Sequence, residues 1–109
     1  MTPRLYLLQR GTAFVMVPLV ITHLVVIMIA VHGGLSAEEI LARTRGSAAW
    51  AIFYSVFVFA ASIHAGIGMQ AIAHEWFGLG QRAAAIAGHI FILFLLSLGL
   101  RAVFGVYGL

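Results

Sequence analysis

The 109-residue chain is 63% hydrophobic and only 8% charged, with a mean hydropathy of +1.11. A soluble domain of this size cannot bury so much apolar surface, so the composition is typical of an integral membrane protein. The chain contains no cysteine, which excludes disulfides, thiolate metal sites and cysteine nucleophiles, and its six arginines and three glutamates are too scattered to form a nucleic-acid-binding patch.

Three stretches of the chain are apolar enough to cross a bilayer. A spanning helix needs about 20 mostly apolar residues, and residues 11–31, 48–73 and 83–107 meet that requirement. Helices are expected because backbone polar groups inside a bilayer must pair within their own segment. The sequence therefore predicts an all-α integral membrane protein, with residues 1–109 forming one transmembrane domain of three helices in an up-down-up bundle.

The two connecting segments carry local structural signals. Ser36 is followed three residues later by Glu39, which fits a capping box and predicts a short interfacial helix between the first two spans. The segment 75–82 is short and contains Gly78 and Gly80. The second and third spans should therefore be antiparallel neighbours.

Charge does not orient the predicted bundle. Side A is the membrane side that holds the N-terminus, and side B is the opposite side. The arginines divide as three on each side, with Arg4, Arg10 and Arg82 on side A and Arg43, Arg45 and Arg101 on side B. The positive-inside rule therefore gives no orientation.

Three histidines, His23, His64 and His89, lie within the predicted spans. An ionisable side chain at that depth is costly and must face a partner or a cavity. Small residues, including Gly68, share the helix face of His64 and leave room for a planar macrocycle. His64 is therefore either an axial haem ligand or a packing histidine hydrogen-bonded to a neighbouring helix. The bulkier faces around His23 and His89 weaken a ligand role there.

The sequence contains no nucleotide-binding loop, flavin fingerprint, acid–base dyad or nucleophile constellation. We therefore expect no catalytic residue in this chain, and any enzymatic chemistry should lie in another subunit. Helix faces rich in glycine and alanine favour close helix packing, which predicts a partner membrane subunit.

Two motifs carry a resemblance to a known family. The stretch from His64 to Met69 reads His-x-x-x-Gly-Met, with Glu75 eleven residues after the histidine. It resembles the second transmembrane helix of the small membrane-anchor (cytochrome b) subunits of succinate dehydrogenase and fumarate reductase, and is closest to the D-type anchor. The stretch from Arg10 to Ala13 is similar to the Arg-x-Thr-Ala that opens the first helix of those subunits.

The resemblance implies a subunit of a four-subunit succinate:quinone oxidoreductase of the respiratory complex II type, in the bacterial cytoplasmic membrane. In such a complex a flavoprotein oxidises succinate, and an iron–sulfur subunit passes the electrons to the membrane. There this chain and a C-type anchor would bind haem b, with ubiquinone or menaquinone as the substrate. Side A would face the cytoplasm and contact the iron–sulfur subunit.

The resemblance also implies roles for individual residues. His64 matches the axial haem b ligand, and Gly68 would pack against the haem. Arg10 matches an arginine that contacts either the haem propionates or the iron–sulfur subunit.

The implied quinone site involves three neighbouring residues. Glu75 matches an aspartate near the quinone, while Trp76 replaces a tyrosine that donates a hydrogen bond to the quinone carbonyl. Either Trp76 donates through its indole N–H, or the neighbouring His74 replaces it.

Two other hypotheses remain open from the sequence. In the first, the chain is a dihaem anchor of the same or another membrane dehydrogenase, with His23 and His89 as a ligand pair. In the second, the chain is a structural membrane subunit without a cofactor.

Overall fold

The computed structural model describes residues 2–108, which form four helices: α1 (Pro3–Gly33), α2 (Ala37–Thr44), α3 (Ala48–Glu75) and α4 (Gln81–Tyr107). Helices α1, α3 and α4 are each long and apolar enough to cross a membrane, and the described residues contain no strand. This confirms the predicted all-α fold with three spanning helices and a short helix between the first two. The long dimension of the chain, 47 Å, fits helices of 27–31 residues at 1.5 Å per residue.

Helix α1 extends beyond the apolar stretch that predicted it, because its first turn has its own start signal. Thr2 is the N-cap, and its side-chain oxygen accepts a hydrogen bond from the backbone N–H of Leu5 at 3.2 Å. Pro3 occupies the first helical turn, where its missing N–H costs nothing. The helix continues through Pro18, and the Thr22 hydroxyl donates to the Pro18 carbonyl at 2.8 Å.

Helix α2 forms where the capping signal predicts it. The Ser36 hydroxyl oxygen accepts a hydrogen bond from the Glu39 N–H at 3.2 Å, which satisfies one of the free donors of the first turn. Thr44 is buried, whereas Glu39 is exposed, so the helix presents one face to the bundle. Helix α2 contacts α4 and α1, and the Gly46 N–H donates to the Tyr107 carbonyl at 3.0 Å. It therefore lies against the side-B end of the bundle.

Helix α3 is the centre of the bundle and packs most extensively against α4, with α1 as its second neighbour. The α3–α4 contact depends on glycines: a Cβ atom added to Gly88 would lie 2.8 Å from the carbonyl oxygen of Gly66, and one added to Gly99 would overlap Val58. Small residues let membrane helices approach this closely. The connection of five residues, 76–80, contains Gly78 at φ +67 and makes the two helices antiparallel, as expected.

Candidate functional site

His64 lies in α3 on the side that faces α1, and its side chain is half-buried. Its position is eleven residues before the end of α3 at Glu75, or about 16 Å along the helix axis. The imidazole Nδ1 lies 3.2 Å from the hydroxyl oxygen of Thr12 in α1. Within residues 2–108 the other ring nitrogen, Nε2, makes no hydrogen bond. The chain therefore engages one nitrogen of this imidazole and leaves the other free.

The sequence motif contains Thr12, but sequence reasoning gave this residue no role. Thr12 is only 8% exposed and is the buried residue of α1. Its hydroxyl oxygen also lies 2.9 Å from the Leu8 carbonyl oxygen and 3.0 Å from the Gln9 carbonyl oxygen. The hydroxyl group therefore joins the α1 backbone to the imidazole of His64, across 52 residues of sequence.

A second polar residue that sequence reasoning missed, Gln9, lies one turn before Thr12. A Cβ atom added to Gly68 would lie 3.7 Å from the Gln9 amide nitrogen. The space beside Gly68 is therefore bordered by α1. The Gln9 side-chain oxygen is buried and has no hydrogen-bond partner in the described chain. The sequence signal that would find both residues is two polar side chains three positions apart, on one face of an apolar helix.

Arg10 lies close to His64 in depth but not on the same face. Its side chain is exposed, and its guanidinium carbon lies 5.7 Å from the centroid of the Tyr6 ring. Positions 10 and 12 differ by about 200° around the helix axis, at 100° per residue. Because Thr12 faces α3, Arg10 faces away from it, and the structure does not bring Arg10 and His64 together.

A cavity of about 190 Å³ opens on side A, between the start of α1, the end of α3 and the start of α4. Its lining includes His74, Glu75 and Gln70. His74 Nδ1 lies 2.8 Å from the Leu79 carbonyl oxygen. Because a carbonyl oxygen only accepts, the Nδ1–H of His74 donates to it, and Nε2 makes no hydrogen bond within residues 2–108. Trp76 is not part of this lining, and its side chain is 83% exposed. The structure thus brings two of the three predicted quinone-site residues to one cavity.

His23 is in α1, and its side chain faces α3. Its ring is edge-on to the rings of Tyr54 and Phe57 in α3, at centroid distances of 5.8 and 5.4 Å. Its Nδ1 is buried and has no hydrogen-bond partner among residues 2–108. His23 also lines an apolar cavity of about 360 Å³ that extends towards Arg43 on side B.

His89 lies elsewhere, on the exposed face of α4, and its Nδ1–H donates to the Ala85 carbonyl at 2.6 Å. The cavities that His23 lines do not include His89. The described part of the chain also holds no group of three or more His, Cys, Asp or Glu residues arranged to bind a metal ion. His64 therefore belongs to no such group within residues 2–108.

Residues 2–102 match the family model described as the succinate dehydrogenase/fumarate reductase transmembrane subunit. No curated protein and no solved structure gives a significant match.

Proposed function

The chain belongs to the family of transmembrane subunits of succinate dehydrogenase and fumarate reductase, and on this basis we propose that it is the D-type anchor. In this role it would bind haem b through His64 and form part of the quinone site. The family gives the coarser role directly: the chain is a membrane anchor of such a complex and assembles with its other subunits. The finer role is supported by the chemistry of the residues around His64.

The observation that carries the haem proposal is the bonding of the His64 imidazole. A polar ring inside a membrane span is costly unless it is paired, yet this chain satisfies only Nδ1, through Thr12. A neutral imidazole nitrogen with a free lone pair is the usual axial ligand of haem iron. The residues present therefore fit one side of a haem site, with Nε2 of His64 as the ligand.

The second half of the haem site is proposed to come from another chain. Because the described residues contain no metal-binding cluster around His64, the opposite axial histidine would be supplied by the C-type anchor. When bound, the haem would supply a reversible one-electron acceptor within the membrane. His64 would hold and orient it, while the apolar helices would exclude water.

The quinone proposal rests on the side-A cavity. The Glu75 carboxylate and the His74 imidazole line a space at the membrane edge beside apolar helix ends. Because the Nδ1–H of His74 is used by the Leu79 carbonyl, Nε2 would contact the substrate. A protonated Nε2 would donate to a quinone carbonyl, and an unprotonated Nε2 would accept from a quinol hydroxyl. The cavity volume, about 190 Å³, is below the roughly 300–1,000 Å³ of complete ligand pockets. We therefore propose that partner subunits complete the walls of the site, and that its substrate is ubiquinone or menaquinone.

The proposed location follows from the same site. Electron transfer from an iron–sulfur subunit requires that subunit to dock near the quinone, on side A. We place side A at the cytoplasmic face of a bacterial inner membrane, with the flavoprotein bound to the iron–sulfur subunit. Arg10, which faces outward from α1, is then better placed for a contact with a neighbouring subunit than for a contact beside His64.

The test is to replace His64 in the assembled complex. We expect His64→Ala to remove haem b, seen as loss of the reduced Soret and α bands, while succinate oxidation with a soluble dye is retained. His89→Ala is the matched control, because His89 is an exposed histidine with a local backbone partner, and it should keep a normal spectrum. A normal haem spectrum in His64→Ala would show that His64 is not the ligand.

The same spectra test the alternative functions. The buried, unpartnered Nδ1 of His23 is the observation that keeps a dihaem anchor as the second candidate. Two haems per anchor pair, with one lost in His23→Ala, would support that candidate. A wild-type complex without haem would support a cofactor-free structural subunit.

A further inference from the structure

We propose that Thr12 is the positioning residue of the haem site: its hydroxyl oxygen accepts a hydrogen bond from His64 Nδ1–H, and this bond holds the imidazole with an unprotonated Nε2 aimed away from α1. This inference rests on the proposed haem ligation and adds a residue of the first helix to that site. It concerns the protonation and orientation of the ligand.

The direction of the hydrogen bond follows from counting protons. The Thr12 hydroxyl has one proton and three neighbours: the carbonyl oxygens of Leu8 and Gln9, at 2.9 and 3.0 Å, and His64 Nδ1 at 3.2 Å. Carbonyl oxygens only accept hydrogen bonds. If the hydroxyl donated to Nδ1, both short oxygen–oxygen contacts would lack a proton. The hydroxyl therefore donates to its own helix, the usual behaviour of a threonine in a helix, and accepts from His64.

The protonation of His64 then follows. A neutral imidazole carries one proton, and its location is set by the hydrogen bond that the ring makes. With the proton on Nδ1, the lone pair is on Nε2, the nitrogen that the described chain leaves free. The opposite tautomer would present a lone pair to Thr12 and a proton to the iron. Thr12 thus selects the tautomer able to bind a metal.

The surroundings make this selection strong. Thr12 is buried, whereas most side chains of α1 face outward. Little water is available to replace the hydroxyl as the acceptor, and a buried donor left without an acceptor is costly. The hydroxyl is itself polarised by its bond to the α1 backbone, which strengthens it as an acceptor.

The expected effect on a bound haem has a defined sign. A hydrogen bond from the remote N–H of a ligating imidazole raises the basicity of the ligating nitrogen. A more basic ligand stabilises ferric over ferrous iron and lowers the reduction potential. Removal of the Thr12 hydroxyl should therefore shift the haem potential upward and weaken haem retention, on the scale of about 10–100-fold in affinity for a lost outer-shell partner.

The experiment compares two substitutions in the assembled complex. Thr12→Val keeps the branched shape and removes the hydroxyl, whereas Thr12→Ser keeps the hydroxyl and removes a methyl group. We expect Thr12→Val to raise the haem potential in an optical redox titration and to lower haem content per complex, and Thr12→Ser to restore both values. A wild-type potential in Thr12→Val, or equal changes in both variants, would overturn the inference, because the second pattern indicates packing alone.

A further measurement separates this inference from the haem proposal itself. Complex labelled with 15N-histidine reports the tautomer of each ring, and the His64 signal is identified by its loss in His64→Ala. We expect an Nδ1-protonated ring in the wild type and in Thr12→Ser. In Thr12→Val a ring that still binds haem stays Nδ1-protonated, whereas the ring of the haem-free fraction should change tautomer. If His64→Ala keeps its haem while the tautomer still depends on Thr12, the haem proposal fails and the hydrogen-bond inference stands. If the haem-free fraction of Thr12→Val keeps the wild-type tautomer, the inference fails regardless of the haem.

Discussion

The contact between α3 and α4 makes a quantitative prediction about Gly88. In a Gly88→Ala variant the new Cβ would lie 2.8 Å from the backbone carbonyl oxygen of Gly66, about 0.5 Å inside the roughly 3.3 Å at which carbon–oxygen contacts begin. A backbone oxygen cannot rotate away, so the helices must separate. Overpacking of this kind costs about 1–3 kcal/mol, while alanine gains about 0.5–1 kcal/mol over glycine within a helix.

The matched control is Gly105→Ala in the same helix. A Cβ atom at Gly105 meets nothing within 4 Å, so this variant gains the propensity term without the clash. The gain in helix propensity from glycine to alanine is the same in both variants. The expected difference between their free energies of unfolding is therefore the cost of overpacking alone. We therefore expect Gly88→Ala to be less stable than Gly105→Ala by about 1–3 kcal/mol.

Because the chain has no cysteine, a single introduced cysteine can report the unfolding of this chain through labelling of its thiol. Ser62 is 2% exposed in α3, so the conservative substitution Ser62→Cys introduces a buried reporter into both backgrounds. The complex is titrated with a denaturing detergent, and labelling of this chain is followed by mass spectrometry. Labelling should begin at a lower detergent concentration with Gly88→Ala than with Gly105→Ala. Equal midpoints would refute the claim that the glycine contact sets the helix spacing.

Two further predictions concern the quinone site and the orientation. His74 lines the side-A cavity and Trp76 does not. We therefore expect His74→Ala to lower the quinone reductase activity about tenfold, the scale of one hydrogen bond, and Trp76→Phe to leave the quinone kinetics unchanged. A loss of activity confined to Trp76→Phe would contradict this assignment. Single cysteines introduced at Ala37, on side B, and at Gly80, on side A, should differ in intact cells, with an impermeant reagent labelling Ala37→Cys only. Labelling of Gly80→Cys instead would reverse the proposed topology.

Much of the fold follows from local properties of the sequence. The length of the apolar stretches predicts three spanning helices, and the glycines of the segment 75–82 predict that the last two are antiparallel. The Ser36 cap predicts α2, because its hydrogen bond to Glu39 spans only three residues. The start of α1 at Pro3 also has a local signal, the Thr2 cap, although the apolar stretch alone begins later.

The sequence by itself determined that His64 lies in a spanning helix among small residues, and that the chain has the motifs of a membrane anchor. It did not determine which helix each small residue faces. Gly66 contacts α4, whereas Gly68, two residues later, lies beside Gln9 of α1. Lipid is as apolar as the interior of a membrane bundle, so hydrophobic periodicity does not distinguish the two faces. Only the tertiary structure, which brings Thr12 to His64 across 52 residues, decided which nitrogen of the imidazole the protein holds and which it leaves free.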